Sequence, residues 1–210
     1  MTVSERARRV HEYLRGLYPN PQCALRYARD YELLLAVIMS AQTTDRQVNR
    51  VTAELFRKYP TLADYRRSDL ATLEQDISSI GLYRAKARNI QKTSSLLLDK
   101  FDGRVPRTLA EITECPGAAR KTANVVLWEL YGLAEGIAVD THVRRLVRQL
   151  RLTTHLDPAK IERDLMRLFP RAEWGDVSHR FILYGREYWP ARQADRGGLA
   201  KIAAVSPIYR

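Results

Sequence analysis

Apolar residues recur every three or four positions along most of this chain, which is the spacing of one buried face of an α-helix. The clearest stripe consists of Val143, Leu146, Val147 and Leu150. Another stripe follows Asp157-Pro158, a pair that favours a helix start because aspartate caps backbone N–H groups and proline fits the first helical position. No segment keeps an apolar-polar alternation with a period of two. The pattern predicts an all-α fold.

Shorter signals place the remaining elements. Leu70, Leu73, Ile77 and Ile80 predict a helix behind the capping residues Ser68 and Asp69. The breaks between helices are short and contain glycine or proline, so the sequence shows no long linker. The longest apolar run, 33–39, is about a third of the length that a bilayer requires. The N-terminus also lacks the apolar core of a secretory signal, and we therefore expect a cytoplasmic protein.

The charge balance points to a polyanionic partner. Lysine and arginine total 35 against 24 acidic residues, a net charge of +11. Basic side chains that neutralise phosphates release counterions and gain affinity, so nucleic acid is the favoured partner. A generally arginine-rich proteome would give the same count. The 2 cysteines and 4 histidines show no metal-ligand spacing, and no metal is expected.

The segment 112–142 carries the candidate chemistry. A Pro-Gly turn at 116–117 precedes a predicted helix, and the N–H groups at a helix start can bind a phosphate. Lys121 lies in the first turn of that helix, where the dipole disfavours an ammonium group. A lysine that loses its proton readily is suited to Schiff-base chemistry. Lys121 could equally be a phosphate contact or a solvated side chain.

Asp140 is open to two interpretations. It precedes Thr141-His142 at the start of a predicted helix, which is typical of an N-cap. A carboxylate near a lysine amine could also accept its proton, and could stabilise positive charge on a sugar during glycosidic cleavage. The residues alone do not decide between these roles.

Two segments together resemble a known motif. The residues 116–127 and 139–142 are similar to the helix-hairpin-helix and Gly/Pro/Asp motif of the endonuclease III family, whose members are glycosylases and lyases acting on oxidised pyrimidines. The segments 32–45, 80–87 and 181–186 resemble further parts of that family. The similarity runs in order over roughly residues 25 to 190.

The resemblance implies a role for each matched residue. Lys121 would attack the sugar carbon, and Asp140 would activate it. Gln42 and Leu82 would fill the space left by a flipped nucleotide, because the target bond is unreachable inside a stacked duplex. The residues implied to bind DNA also include Gly117, Ala119, Arg120, Thr122 and His142. A lysine at position 121 further favours imine formation and β-elimination over the water-based route of the related adenine glycosylases.

The resemblance also implies a domain organisation. One domain of six helices would span 25–134 and contain the hairpin. The other would combine 1–24 with 135–210, and double-stranded DNA containing a damaged base or an abasic site would bind in the cleft between them. We expect a monomer associated with the nucleoid.

The chain departs from the family pattern at two places. Most members hold an iron–sulfur cluster with four C-terminal cysteines, and the corresponding positions here are Trp189, Arg196, Leu199 and Val205. We therefore expect no cluster and no cofactor, with an apolar plug in its place.

The second departure lies in the hairpin, where Ala119 replaces a usual glycine. If Ala119 had a positive φ, the strain would cost about 1 kcal/mol. Two alternatives stay open: a non-catalytic DNA-binding protein that has lost its activity, and an enzyme with altered lesion specificity.

Overall fold

The structure is a computed structural model that describes residues 1–188 together with 201, 202 and 204. Within them every regular element is helical, as the apolar spacing predicts, and no helix there is long and apolar enough to cross a membrane. The α-helices of this part of the chain are α1 Val3–Leu17, α2 Asp30–Ser40, α3 Asp45–Lys58, α4 Leu62–Arg67, α5 Leu70–Asp76, α6 Tyr83–Lys100, α7 Leu109–Glu114, α8 Arg120–Tyr131, α9 Thr141–Gln149, α10 Pro158–Leu168 and α11 Trp174–Glu187.

The chain divides into two compact units. The continuous unit is Cys23–Leu133, and the discontinuous unit joins Met1–Gln22 to Ala134–Arg210. The continuous unit contains seven helices, α2 to α8, where we expected six. Two of them, α4 and α7, have only 6 residues each, which is too short for a clear helical period in the sequence.

Helix α2 is the centre of the continuous unit. All seven residues from Leu33 to Met39 are buried, so this apolar run is a helix enclosed on every side. Helices α3, α6 and α8 all pack against it. The burial of α2 therefore fixes the elements on either side of it.

The core of the discontinuous unit contains the predicted stripe on α9. Val143, Leu146, Val147 and Leu150 are all fully buried. They pack with residues of α1, α10 and α11 in one cluster, to which Ile202 also belongs. The positions that correspond to the cluster cysteines, Trp189, Arg196, Leu199 and Val205, lie outside the described residues, and the predicted apolar plug stays a prediction.

Helix starts follow the predicted caps. The side chain of Asp157 accepts a hydrogen bond from the backbone N–H of Lys160, and Asp69 caps α5 through the N–H of Thr72. Helix α5 nevertheless ends at Asp76, earlier than the apolar spacing predicts. Ile77 and Ile80 are buried in the turn that follows, because a three-residue turn preserves their spacing.

Helix α8 ends at a left-handed glycine. Gly132 has a φ of +63°, and the N–H of Leu133 donates to the carbonyl of Leu127 at 3.1 Å. This bond is the six-to-one link of a Schellman motif, which needs a left-handed residue.

Two glycines allow a test of backbone strain alone, because an added Cβ would meet no atom within 4 Å at either Gly132 or Gly16. Gly132→Ala should lower the free energy of unfolding by about 1 kcal/mol, since alanine is strained at positive φ. Gly16→Ala, within α1, should raise it by up to about 1 kcal/mol. Urea denaturation of both variants measures the change in the free energy of unfolding. Equal effects of the same sign would contradict the conclusion that position 132 requires glycine for its positive φ.

Candidate active site

The hairpin between α7 and α8 is a tight turn. The N–H of Ala118 donates to the carbonyl of Cys115 at 2.9 Å, and the hydroxyl of Thr93 on α6 donates to the carbonyl of Pro116 at 3.0 Å. The turn is therefore held both by its own backbone and by the neighbouring helix.

Gly117 is the residue that this turn requires. Its φ is +86°, and an added Cβ would lie 2.7 Å from Nδ2 of Asn89 and 3.1 Å from Cγ2 of Ile38. Ala119 has a φ of −92° and an extended backbone. The strain that we considered at Ala119 is therefore absent, and the glycine-dependent position of the hairpin is Gly117.

Helix α8 begins without a side-chain cap. Its N-cap is Ala119, whose side chain makes no capping hydrogen bond. The first N–H groups of a helix have no partner within the helix, and the dipole adds positive potential there. Arg120, exposed at this end, adds a full charge. This end of α8 is suited to bind an anion such as a phosphate.

Lys121 is the second residue of α8 and is exposed. The adjacent residue Thr122 is buried, as are Ala123, Val126 and Leu127 on the inner face of the helix. The inner face packs against α2 and α7 and fixes the rotation of α8. The amine of Lys121 is thus presented to solvent from a rigid helix.

Asp140 is the N-cap of α9. Its Oδ1 accepts a hydrogen bond from the N–H of Val143 at 2.8 Å, so the capping interpretation is confirmed. The preceding residues are held by α11, because the hydroxyl of Ser178 donates to the carbonyl of Ala138 at 2.7 Å. Since the cap uses Oδ1, and a carboxylate can accept several hydrogen bonds, the cap leaves Asp140 capacity for a second role.

His142 lies two residues further on, half-buried against α11. An added Cβ on Gly185 would lie 2.7 Å from Nδ1 of His142, so only glycine permits this approach. Burial lowers the pKa of His142, and Asp140 opposes that shift while Arg145 and Arg186 reinforce it. The imidazole is therefore neutral near pH 7. No sequence pattern indicated the role of Gly185.

Gln42 and Leu82 share an unusual backbone conformation. Their φ values are +56° and +60°, and they are two of the four non-glycine residues with positive φ in the described chain. Both are exposed, and Leu82 retains 62% of its accessible surface. Strained residues at exposed positions are often functional, and an exposed leucine at a helix start is suited to insert between bases.

An iron–sulfur cluster does not fit the residues of this chain. A [4Fe–4S] cluster takes four thiolates, and the whole sequence has 2 cysteines. Cys115 is buried, and burial raises the pKa of its thiol to about 11. Within residues 1–188 and the few described beyond them, no group of three or more His, Cys, Asp or Glu side chains could hold a metal ion.

The structure brings the predicted residues together in groups. Gly117, Ala119, Arg120, Lys121 and Thr122 form one hairpin and helix start in the continuous unit. Asp140 and His142 lie together at the start of α9 in the discontinuous unit. A helix-hairpin-helix with a lysine after its turn, followed by an aspartate cap, defines a class of base-excision repair proteins.

Comparison with known proteins agrees with that class. The model of the HhH-GPD superfamily of base excision DNA repair proteins matches residues 35–171. Endonuclease III of Synechocystis sp. is 44% identical over 189 residues, 90% of this chain and 86% of that protein. Endonuclease III of Bacillus subtilis is 44% identical over 177 residues, 84% of this chain and 80% of that protein.

Solved structures give the same result. A trapped endonuclease III–DNA covalent intermediate superposes with a TM-score of 0.88 at 41% identity, covering 96% of this chain and 100% of that one. A thermostable thymine-DNA glycosylase shares the fold, with a TM-score of 0.77 at 17% identity, covering 94% of this chain and 95% of that one. The chain belongs to the endonuclease III family of base-excision DNA glycosylases and lyases.

The hairpin geometry predicts opposite sensitivities at its two small residues. Gly117→Ala should lower the free energy of unfolding by more than about 1 kcal/mol, because both φ and the contact with Asn89 oppose a Cβ. Ala119→Gly should change it by less than about 0.5 kcal/mol, since extended backbone suits either residue. Thermal and urea unfolding measure the stability of both variants. A stabilisation of about 1 kcal/mol by Ala119→Gly would mean that Ala119 is strained after all.

Proposed function

We propose that this chain removes oxidised pyrimidines from duplex DNA and cleaves the abasic strand by β-elimination, with Lys121 as the nucleophile. The observation that carries this proposal is the exposed amine of Lys121 in the first turn of a helix whose cap residue makes no side-chain hydrogen bond. The endonuclease III with 41% identity, described as a trapped covalent intermediate with DNA, supports it. That description requires a protein group that bonds to DNA, and a lysine amine can form such a bond.

The reaction combines a substitution at C1′ with a β-elimination across C2′ and C3′. The neutral amine of Lys121 attacks C1′ of the damaged nucleotide, and the base departs with the electrons of its glycosidic bond. The C1′–O4′ bond then breaks, and O4′ takes up the proton that the attached nitrogen loses, which gives an imine between Nζ and C1′. The imine acidifies C2′, so loss of a C2′ proton forms the C2′–C3′ double bond as the C3′–O bond breaks. The 3′ phosphate leaves, and hydrolysis of the imine regenerates the amine.

Asp140 supplies a carboxylate to these steps. It accepts the proton that Lys121 must lose before attack, and its charge stabilises the oxocarbenium character of the sugar. The hydrogen bond from the N–H of Val143 to Oδ1 fixes the orientation of the carboxylate. The proposal requires that Lys121 and Asp140 reach the same nucleotide.

The remaining site residues bind the duplex. Arg120 and the start of α8 bind a phosphate, and the net charge of +11 strengthens association with DNA. Leu82 and Gln42 fill the gap that the flipped nucleotide leaves, with the amide of Gln42 bonding to the unpaired base. The protein acts as a monomer on nucleoid DNA in the cytoplasm.

Borohydride trapping tests the nucleophile. Borohydride reduces an imine to a stable amine, so the wild-type protein should become covalently attached to duplex DNA that contains an abasic site. Lys121→Ala should give no adduct, while unfolding at the wild-type midpoint because alanine suits a helix. Denaturing electrophoresis with labelled DNA detects the adduct.

Arg120→Ala is the matched control for that experiment. It should weaken DNA binding and reduce the slope of log K against log salt by about 1, yet still form the adduct at saturating protein. Failure of the wild-type protein to form an adduct would leave a non-catalytic DNA-binding role as the better assignment.

Two substitutions at Asp140 separate its cap from its chemistry. Asparagine is as good an N-cap as aspartate, so Asp140→Asn should keep the free energy of unfolding within about 0.5 kcal/mol. Its rate of strand cleavage should fall by about 100-fold or more, because the carboxylate is lost. Asp140→Ala should lose the same activity and also about 1 kcal/mol of stability. Full activity of Asp140→Asn would reduce Asp140 to a cap alone.

A further inference from the structure

Lys86 is a buried lysine for which the proposed chemistry has no use. Its side chain is only 4% exposed, although it lies in the first turn and a half of α6 and belongs to a strongly basic chain. Burial lowers the pKa of its amine. Taking an ammonium group out of water is unfavourable, so a lysine in this position needs strong compensating contacts.

The amine of Lys86 bonds to the end of α2 and the loop after it. Nζ donates to the carbonyl of Met39 at 2.7 Å, to the carbonyl of Ala41, and to the hydroxyl of Thr43 at 3.2 Å. The last carbonyls of a helix have no partner within it and carry the negative end of the dipole. An ammonium group is the side chain best suited to satisfy several of them at once.

These contacts lie on both sides of Gln42. Ala41 precedes Gln42 and Thr43 follows it, so Lys86 bonds to the backbone on one side of a residue whose φ is +56° and to a side chain on the other. A non-glycine residue at positive φ persists where its surroundings determine the conformation. The bonds of Lys86 to Met39, Ala41 and Thr43 are part of those surroundings.

The same lysine is joined to the other strained residue. The backbone N–H of Lys86 donates to the carbonyl of Leu82 at 3.1 Å as the first bond of α6. The segment before Leu82 lies close to the segment after α2. A Cβ added at Gly81 would lie 3.4 Å from the carbonyl oxygen of Gln42, and Nε2 of Gln47 on α3 donates to the hydroxyl of Ser79 at 2.8 Å.

We infer that Lys86 is the positioning residue that holds Gln42 and Leu82 in one rigid arrangement for insertion into the DNA duplex. Its backbone bonds to Leu82, and its amine bonds to both neighbours of Gln42. The two side chains are therefore set before DNA arrives, and the protein does not order the loops at the expense of binding free energy. This inference rests on the proposed insertion of Gln42.

The test uses a base whose fluorescence reports its stacking. The probe is a duplex with 2-aminopurine opposite a tetrahydrofuran abasic analogue, which has no leaving base and no C1′ carbonyl and is not cleaved. Wild-type protein should change the 2-aminopurine signal, because Gln42 bonds to the unpaired base. Gln42→Ala should lose that change and bind about tenfold more weakly, a factor equivalent to 1.4 kcal/mol.

Lys86→Met should behave like Gln42→Ala in this assay. Methionine keeps the apolar stem but cannot bond to the carbonyls, so the loop around Gln42 is released. The double variant should bind within about twofold of Lys86→Met, because both substitutions remove the same contact. Lys92→Met removes an exposed lysine from the same helix and should keep the wild-type signal.

Thr43→Val tests the positioning role of Lys86 even if Lys86→Met does not fold. It removes one acceptor of Lys86 with little change of shape, and should weaken binding by about threefold. The double variant with Gln42→Ala should bind no more weakly than Gln42→Ala alone. Wild-type fluorescence in Lys86→Met and Thr43→Val, with only a lower Tm, would overturn the inference and leave Lys86 structural. An unchanged signal in Gln42→Ala would instead overturn the proposed insertion, and the inference with it.

Discussion

The enclosure of helix α2 is the constraint on which the continuous unit depends. Its seven residues from Leu33 to Met39 are all buried, and α3, α6 and α8 pack around them. Each of these neighbours borders or carries part of the candidate site. Helix α8 carries Lys121, and α6 begins next to Leu82. The removal of one apolar helix from water, worth roughly 25 cal/mol per Å² of apolar surface, therefore also sets the positions of chemically important side chains.

Two exposed residues of the candidate site keep a strained backbone. Gln42 and Leu82 both have positive φ, a conformation that costs about 1 to 2 kcal/mol for a residue with a Cβ. Glycine would remove the strain at either position, but it would also remove the side chain that we propose to enter the duplex. The hairpin instead has a glycine at positive φ, because a side chain at Gly117 would lie too close to Asn89 and Ile38.

The sequence predicts local features of this structure well and long-range ones poorly. The stripe on α9 and the caps Asp157 and Asp140 were identifiable because each depends on residues within one or two turns. The fold class also followed from short patterns and the family resemblance, and the same resemblance points to Lys121 as the candidate nucleophile. The φ of Ala119 was not predictable, since it depends on how the turn before it closes.

Lys86 shows why long-range features were not predicted from the sequence. In sequence it is one more lysine in a basic helix, and most lysines are exposed. Its burial depends on carbonyls 45 and 47 residues earlier in the chain, at the end of a different helix. Gly185 was missed for the same reason, because the residue that requires it, His142, lies on another helix. A single sequence does not contain these pairings in any periodic form.

The discontinuous unit has its own means of closing its core without four cysteines. Arg180 is 3% exposed and bonds to the carbonyl of Tyr18 at 3.0 Å, so it ties the end of α1 to α11. Glu173 and Asp176 balance its charge at 3.0 and 3.1 Å. Breaking such a buried pair is costly, which makes the arrangement specific. Ile202 is fully buried in the same core, so side-chain packing there reaches the C-terminal region where the family places its cluster.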